Sequence, residues 1–197
     1  MKNRLLLVLA VAAPMAIAEA QQPTAPPANP IATVFRNRTG NLRRLIAQAY
    51  DSIPESKFSF KPTPAQLSFG YVAAHMASDA YGFCNNFSDR KATRPESHVA
   101  THDSLKQHWP KDSLVAQMKA AFQFCDEVMA NMDDAAATAI ITVPGQNNTT
   151  RQVARMNALL GHAMDLQDHY SQIANYMRLN GMLPPSALPR PAGRGGN

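Results

Sequence analysis

The sequence has only one long apolar run, at its N-terminus, and no block of basic residues. It contains only two cysteines. After the N-terminal run, no apolar stretch reaches the roughly 20 residues of a transmembrane helix, so we expect no membrane span in the processed chain. The basic residues are scattered, without interleaved aromatic residues, which argues against a nucleic-acid partner. Removing two positive charges and one negative charge with the first 20 residues lowers the formal net charge from +5 to +4, an ordinary surface charge.

The first 20 residues have the pattern of an export signal. Lys2 and Arg4 precede an apolar run, Leu5–Ile17, and residues 18–20 have the small-x-small pattern of a cleavage site. Cleavage after Ala20 would leave a chain the size of one ordinary domain. We therefore predict a periplasmic or secreted protein, with an uncleaved signal that acts as an anchor as the alternative.

The two cysteines, Cys84 and Cys125, are interpreted in the light of export. In an oxidising compartment they are candidates for an intramolecular disulfide, which would stabilise the fold by about 4 kcal/mol through the unfolded state. Two independent buried thiols are the alternative, because sequence alone does not give the geometry.

Four segments have the periodicity of amphipathic helices, and no segment is a convincing strand. They run from Ile31 to Ile53, Ala65 to Ser88, Asp112 to Met132 and Thr150 to Asn180. Thr63-Pro64 is the predicted start signal of the second helix, and Asp112 is the predicted N-cap of the third. Gly181 is predicted to end the fourth.

These segments predict an all-α domain over residues 31–182, a four-helix bundle with a long crossover between helices 2 and 3. Proline-rich residues 21–30 are a predicted linker, and residues 183–197 are a predicted disordered tail. Residues 140–145 are predicted to form a short extended piece and a turn.

The predicted last helix has metal-capable side chains on one face. Asp165 and His169 are four residues apart and therefore lie one turn from each other, the spacing at which two helical residues can hold one metal ion. Taken alone, the spacing of Asp165 and His169 is also typical of two side chains that interact on the exposed face of a helix. His75 lies in an apolar part of the second helix, where a hydrogen-bonded core histidine is the alternative. Cys84 falls on the opposite side of that helix from His75 and is not expected to be a ligand.

Taken together, these residues resemble the DinB-like superfamily of four-helix bundles with a three-histidine metal site, and most of all its exported branch. The resemblance extends from Asn41 to Pro185. The matching stretches are Leu67-Ser68-Phe69-Gly70 with His75, Tyr81-Gly82-Phe83-Cys84, Ala121-Phe122-Gln123-Phe124-Cys125-Asp126, Asp168-His169-Tyr170-Ser171-Gln172 and Tyr176-Met177-Arg178-Leu179-Asn180-Gly181. The exported branch also has cysteines at the positions of Cys84 and Cys125, which favours the disulfide.

The resemblance implies a divalent metal ion (zinc, nickel or iron) held by His75, Asp165 and His169. Asp165 stands where the family pattern has histidine. Two histidines and a carboxylate are a known set for zinc or non-haem iron, but the carboxylate would reduce the Lewis acidity of the ion. The alternative is a site without metal that keeps a hydrogen-bonded network of the same three side chains.

The remaining polar candidates receive other roles. Asp79 and Gln172 are interpreted as partners that orient the ligand side chains. His162 lies two turns from His169, about 10 Å along the axis, and is interpreted as a core or rim histidine. We expect the crossover histidines to lie at the surface and Trp109 to pack the crossover against the bundle; these histidines are His98, His102 and His108.

The functional expectation is a metal-dependent hydrolase or transferase that acts on a small molecule. The alternative is a non-enzymatic bundle that binds a small molecule or a partner and keeps a degenerate metal site. A purely structural exported domain is a third hypothesis. A small molecule is the expected ligand, and a second copy of the chain is a candidate partner.

Overall fold

The computed structural model describes residues 28–189. The predicted signal peptide, linker residues 21–27 and tail residues 190–197 lie outside the described residues. The long helices are α1 (Pro30–Ser52), α2 (Phe69–Cys84), α5 (Lys111–Ala130) and α7 (Met156–Leu179). The short ones are α3 (Glu96–Ala100), α4 (Asp103–Lys106) and α6 (Asp134–Thr138), and 3-10 turns lie at Glu55–Lys57 and Pro185–Ala187. Among the described residues, no helix is both long and apolar enough to span a membrane.

The four long helices form the predicted bundle, in which α1 packs on α5 and α7, and α2 packs on the same two helices. Side-chain contacts give the directions: Lys119 bonds Asp51 and Arg36 bonds the Met129 carbonyl, so α1 and α5 are antiparallel. Gly70 lies close to Gln107, just before α5, whereas Cys84 meets Cys125, so α2 and α5 are parallel. Parallel helices need a crossover, and the prediction of one is confirmed.

The starts of helices α2 and α5 differ from the prediction. Helix α2 begins at Phe69 and not near Ala65, because Ser68, rather than Thr63, is the N-cap: its side chain accepts a hydrogen bond from the Tyr71 backbone N–H. Helix α5 begins at Lys111, so Asp112 is in the first turn and is not the cap. Its negative charge is favourable there, near the positive end of the helix dipole.

The segment before α7 contains a β-hairpin that the prediction missed. Strands β1 (Ile140–Pro144) and β2 (Thr150–Ala154) pair antiparallel, so helix α7 begins at Met156 and not at Thr150. Asn147 and Asn148 adopt φ values of 54° and 57°, a conformation that asparagine tolerates better than most residues. The predicted extended piece at residues 140–145 corresponds to the first strand, whereas the prediction of no convincing strand is wrong for this hairpin.

The described part of the C-terminal tail is folded against the bundle. The Ser186 backbone N–H donates to the Tyr170 hydroxyl at 2.9 Å, within the 3-10 turn at Pro185–Ala187. The predicted disorder is therefore contradicted for this turn. At the other end, Pro30, assigned to the linker, is the first residue of α1, where its fixed φ fits the first helical turn.

The interior has an aromatic cluster at one end and the disulfide at the other. Tyr50, Phe58, Phe60, Phe69 and Tyr176 form the cluster, with ring centroids 5.5–6.4 Å apart. Cys84 and Cys125 are bonded, with their Cα atoms 5.3 Å apart, which confirms the predicted disulfide and excludes independent thiols. The polar candidates on α2 and α7 lie between these two ends.

Candidate metal centre

Helices α2 and α7 bring His75, Asp165 and His169 together. The helices are antiparallel, since Phe69 meets Tyr176 and Phe83 meets His162 near opposite ends. One ligand atom from each of the three candidates lies within 4.8 Å of the other two. The imidazole rings have centroids 5.0 Å apart and are nearly perpendicular, at 83°. The four-residue spacing in α7 thus predicts that Asp165 and His169 lie close together, and the packing of α2 on α7 adds His75.

The Asp165–His169 pair has the geometry of two ligands to one ion. Asp165 Oδ1 lies 3.3 Å from His169 Nε2. Two ligand atoms bound to the same zinc at about 2.0–2.1 Å with tetrahedral angles are separated by roughly 3.3 Å. Both side chains are largely shielded from solvent, with 17% and 9% of their surface exposed. No helix needs to move for this pair to chelate.

Gln172 fixes the orientation and the tautomer of His169. The Gln172 amide nitrogen donates to the Tyr176 hydroxyl at 2.9 Å, so its oxygen faces His169 Nδ1, 3.2 Å away. An amide oxygen only accepts, and Nδ1 therefore donates. In the neutral ring the Nε2 lone pair therefore points toward Asp165, where a cation would bind, whereas in the protonated ring Nε2–H donates to Asp165.

Charge around the cluster is negative. Burial alone would lower the pKa of His169, but the hydrogen bond and the negative charge of Asp165 outweigh it and raise this pKa. The pKa of Asp79 is raised, by burial first and then by the charges of Asp165 and Asp103, although both imidazoles oppose the shift. A bound cation would offset the mutual repulsion of these carboxylates.

Carboxylates face both nitrogens of His75. Asp79 Oδ2 is 3.3 Å from Nε2, one turn along α2, as its predicted role as a partner of His75 requires. Asp103 Oδ2 is 3.7 Å from Nδ1. Sequence analysis missed Asp103 because it lies in the irregular crossover, where no periodicity relates it to α2. The short pattern His102-Asp103-Ser104 marks a helix start there, but gives no indication of its neighbour in space.

The residues present fit a divalent cation. Two imidazoles and a carboxylate are a donor set that suits zinc, nickel or iron. Gln172 orients one imidazole, and the surrounding acids supply the compensating negative charge. An open cleft of about 530 Å³ adjoins His169 and Gln172 and is bordered by Gln66, Leu67 and Tyr176, so a small molecule can approach this side of the cluster.

His162 is a core residue, as its spacing predicts. It is fully buried, and its Nε2 accepts a hydrogen bond from Arg43 Nη1 at 2.9 Å. Burial, followed by the charge of Arg43, lowers its pKa to about 3, so the ring is neutral. It also lies beside Cys84 and Cys125, but these sulfurs bond each other and are not available as ligands.

The crossover histidines are remote from the metal candidates. His102 and His108 are exposed, as predicted, whereas His98 is half-buried with its ring 5.4 Å from that of Trp109. Trp109 packs against the core, which confirms its predicted role.

Comparison with known proteins identifies the family. The model of the DinB superfamily matches residues 39–173, more than half of the chain, and the chain belongs to this superfamily. The fold is similar to the crystal structure of a DinB-like protein from Bacillus cereus, with a TM-score of 0.59 over 77% of this chain and 93% of that one. The identity is 14%, so this likeness shows the fold alone. A comparison with curated proteins gave no match.

Proposed function

We propose that this protein is an exported metal-dependent hydrolase or transferase for a small molecule, with one divalent ion held by His75, Asp165 and His169. The observation that supports it best is the convergence of one ligand atom from each side chain within 4.8 Å. Family membership and the adjacent open cleft are consistent with this function. The predicted export signal in the first 20 residues favours an envelope or extracellular substrate.

The side chains have distinct roles in this proposal. His169 would bind through Nε2, because Gln172 holds its proton on Nδ1. Asp165 would add a negative ligand from the preceding turn. A bound ion would supply Lewis acidity toward a substrate oxygen or a thiol, and Asp165 would moderate that acidity more than a neutral histidine would. Asp79, which has a raised pKa beside Nε2 of His75, is placed to exchange a proton with a molecule in the site.

A non-enzymatic binding bundle is the second candidate. It is favoured by the hydrogen-bonded series Asp165, His169, Gln172 and Tyr176, whose polar groups have partners without a cation. In that case the cleft would bind a small molecule and the acids would serve only as neighbours of the imidazoles.

Metal titration of purified protein separates the two candidates. We expect the mature chain to bind about one equivalent of Zn²⁺, Ni²⁺ or Fe²⁺, and we expect His75→Ala and Asp165→Ala to abolish binding. His108→Ala and Asp89→Ala are matched controls, because both side chains are exposed and neither borders the cleft beside His169. Wild-type protein that binds none of these ions would contradict the enzyme proposal and leave the binding bundle.

A further inference from the structure

An apolar groove lies between helices α1 and α7 on the outside of the bundle. Its volume is about 550 Å³, and its apolar walls are Leu42 on α1 and Ala163 and Met164 on α7. The Met164 side chain is 70% exposed. Contiguous apolar surface of this kind marks sites of protein interaction. We propose that two copies of this chain form a symmetric dimer across this groove, in which Arg38 pairs with the partner's Asp168.

The surface around the groove consists of one row of side chains on each helix. Residues four apart lie one turn from each other on the same helix face. The rows are Val34, Arg38 and Leu42 on α1, and Leu160, Met164 and Asp168 on α7. Val34 and Leu160 are also exposed, so the apolar surface extends beyond the groove toward the N-terminal ends of both helices.

The two rows run in the same direction. Helix α1 is antiparallel to α5, α5 is parallel to α2, and α2 is antiparallel to α7, so α1 and α7 are parallel. Arg38 lies one turn before Leu42 in its row, whereas Asp168 lies one turn after Met164 in the other. Because all four residues line the groove, the two charges are at opposite ends of it and on opposite helices.

A twofold axis through the middle of the groove makes this surface complementary to itself. The rotation reverses the direction of the helices and exchanges the two rows. Arg38 then faces the partner's Asp168, and Leu42 faces the partner's Met164. The interface would contain two ion pairs at its rim and apolar contacts between them, the usual arrangement of such surfaces.

The charges of the groove favour a second copy as the occupant. Arg38 and Asp168 are both exposed, and among the described residues neither has an ion-pair partner. One surface supplies both members of each intermolecular pair, which is the requirement of a twofold interface. Electrostatic complementarity of this kind sets the register and selects the partner.

The dimer would adjoin the candidate metal centre without depending on it. Asp168 and Ser171 border both the groove and the open cleft beside His169. A second copy would therefore form part of the rim of that cleft. None of the side chains proposed to hold the two copies together is a candidate metal ligand, so the interface is tested without metal.

Sedimentation measures the dimer directly. Analytical ultracentrifugation of the purified protein should show a dimer that dissociates on dilution. Met164→Glu puts a carboxylate in the apolar part of the interface, where its burial is costly, and should be monomeric at concentrations at which the wild type is dimeric. Val99→Glu, the matched apolar-to-acid change at an exposed residue of the crossover, should sediment like the wild type.

Charge reversal tests the pairing of Arg38 with Asp168. Arg38→Glu and Asp168→Arg should each raise the dimer dissociation constant by about tenfold or more, because each creates two like-charge contacts in a symmetric interface. The double variant restores both pairs with reversed polarity. Its dissociation constant should return to near the wild-type value.

Three results would overturn the inference. The first is a wild type that remains monomeric, which is also the result expected if residues 190–197 cover the groove in their own chain. The second is a dimer that Met164→Glu leaves intact, because its interface would lie elsewhere. The third is a double charge-reversal variant whose loss of affinity equals the sum of the two single losses, because Arg38 and Asp168 would then not be paired.

Discussion

Asp165 Oδ1 and His169 Nε2 face each other at 3.3 Å across one turn of helix α7, while the other nitrogen of His169 is occupied by Gln172. The ring orientation is therefore fixed, and in the neutral ring the Nε2 lone pair lies beside the Asp165 carboxylate. His75 from α2 completes a three-residue cluster. This arrangement makes Asp165 the decisive residue, because it stands where the resemblance to the family implies a histidine.

Asp165→His should increase Zn²⁺ affinity. The imidazole would restore the three-histidine set that the family resemblance implies and would be a better match for zinc than a single carboxylate oxygen. We expect at least several-fold tighter binding by chelator competition at neutral pH. Asp89→His, the same change at an exposed acid beyond the end of α2, is the control and should not change affinity. Equal or weaker binding by Asp165→His would show that the site is adapted to the carboxylate or does not bind metal.

Removing the disulfide should lower the free energy of unfolding by about 4 kcal/mol, since the bond closes a loop with a sequence separation of 41. Urea denaturation of Cys84→Ala/Cys125→Ala, compared with oxidised wild type, measures this difference. Thiol counting on denatured, unreduced wild type should give no free thiols. Two reactive thiols per chain would refute the bond.

Gly70→Ala should destabilise the fold, whereas Gly82→Ala should not, although both glycines lie in helix α2. A Cβ at Gly70 would meet the Gln107 backbone oxygen at 2.5 Å, while a Cβ at Gly82 meets nothing within 4 Å. We expect a loss of about 1–3 kcal/mol for Gly70→Ala from overpacking. For Gly82→Ala we expect a gain of up to about 1 kcal/mol from helix propensity. Equal unfolding midpoints for the two variants would contradict the close packing of the crossover on α2.

His162 should make stability fall as the pH falls below its ordinary pKa of 6.5. Its folded pKa is about 3, so between these values the unfolded chain binds a proton that the folded chain does not. Linkage then costs about 1.4 kcal/mol of unfolding free energy per pH unit. His162→Gln keeps an acceptor for Arg43 and should remove this slope between pH 6.5 and 5.

Because the other titrating groups are the same in wild type and His162→Gln, their contributions cancel in the difference between the two unfolding free energies. One of them, His169, has a raised pKa and therefore contributes in the opposite direction, adding stability as the pH falls. Parallel curves of unfolding free energy for the two proteins would show that His162 is protonated in the fold.

The sequence predicted the parts of the fold that depend on periodicity and spacing. The four amphipathic segments, the crossover and the Asp165–His169 pair follow from patterns within single helices. The start of α2 was misplaced because Thr63-Pro64 has the pattern of a helix start, whereas backbone hydrogen bonds from Phe69 and Gly70 to the preceding turn fix the start at Phe69. The hairpin was missed because residues 150–154 are mixed in character and gain their strand structure by pairing with β1.

The residues of the site also fall into two groups: those that helical spacing indicates, and those that only the three-dimensional fold brings together. Gln172 and Asp79 lie one turn from the histidines that they contact, and helical spacing therefore indicated them. Asp103 is 28 residues beyond His75 in a segment without periodicity, and only the path of the crossover brings it near. The buried pair of Arg43 and His162 likewise joins α1 to α7 and has no local pattern.

Elemental analysis of the purified protein, followed by Zn²⁺ titration of metal-free wild type, His75→Ala and Asp165→Ala, tests the metal site most directly. The account predicts about one equivalent of divalent metal in the wild type and loss of that metal in both variants, with His108→Ala unchanged. Wild-type protein that contains no metal and takes up none from zinc, nickel, manganese or iron would contradict it.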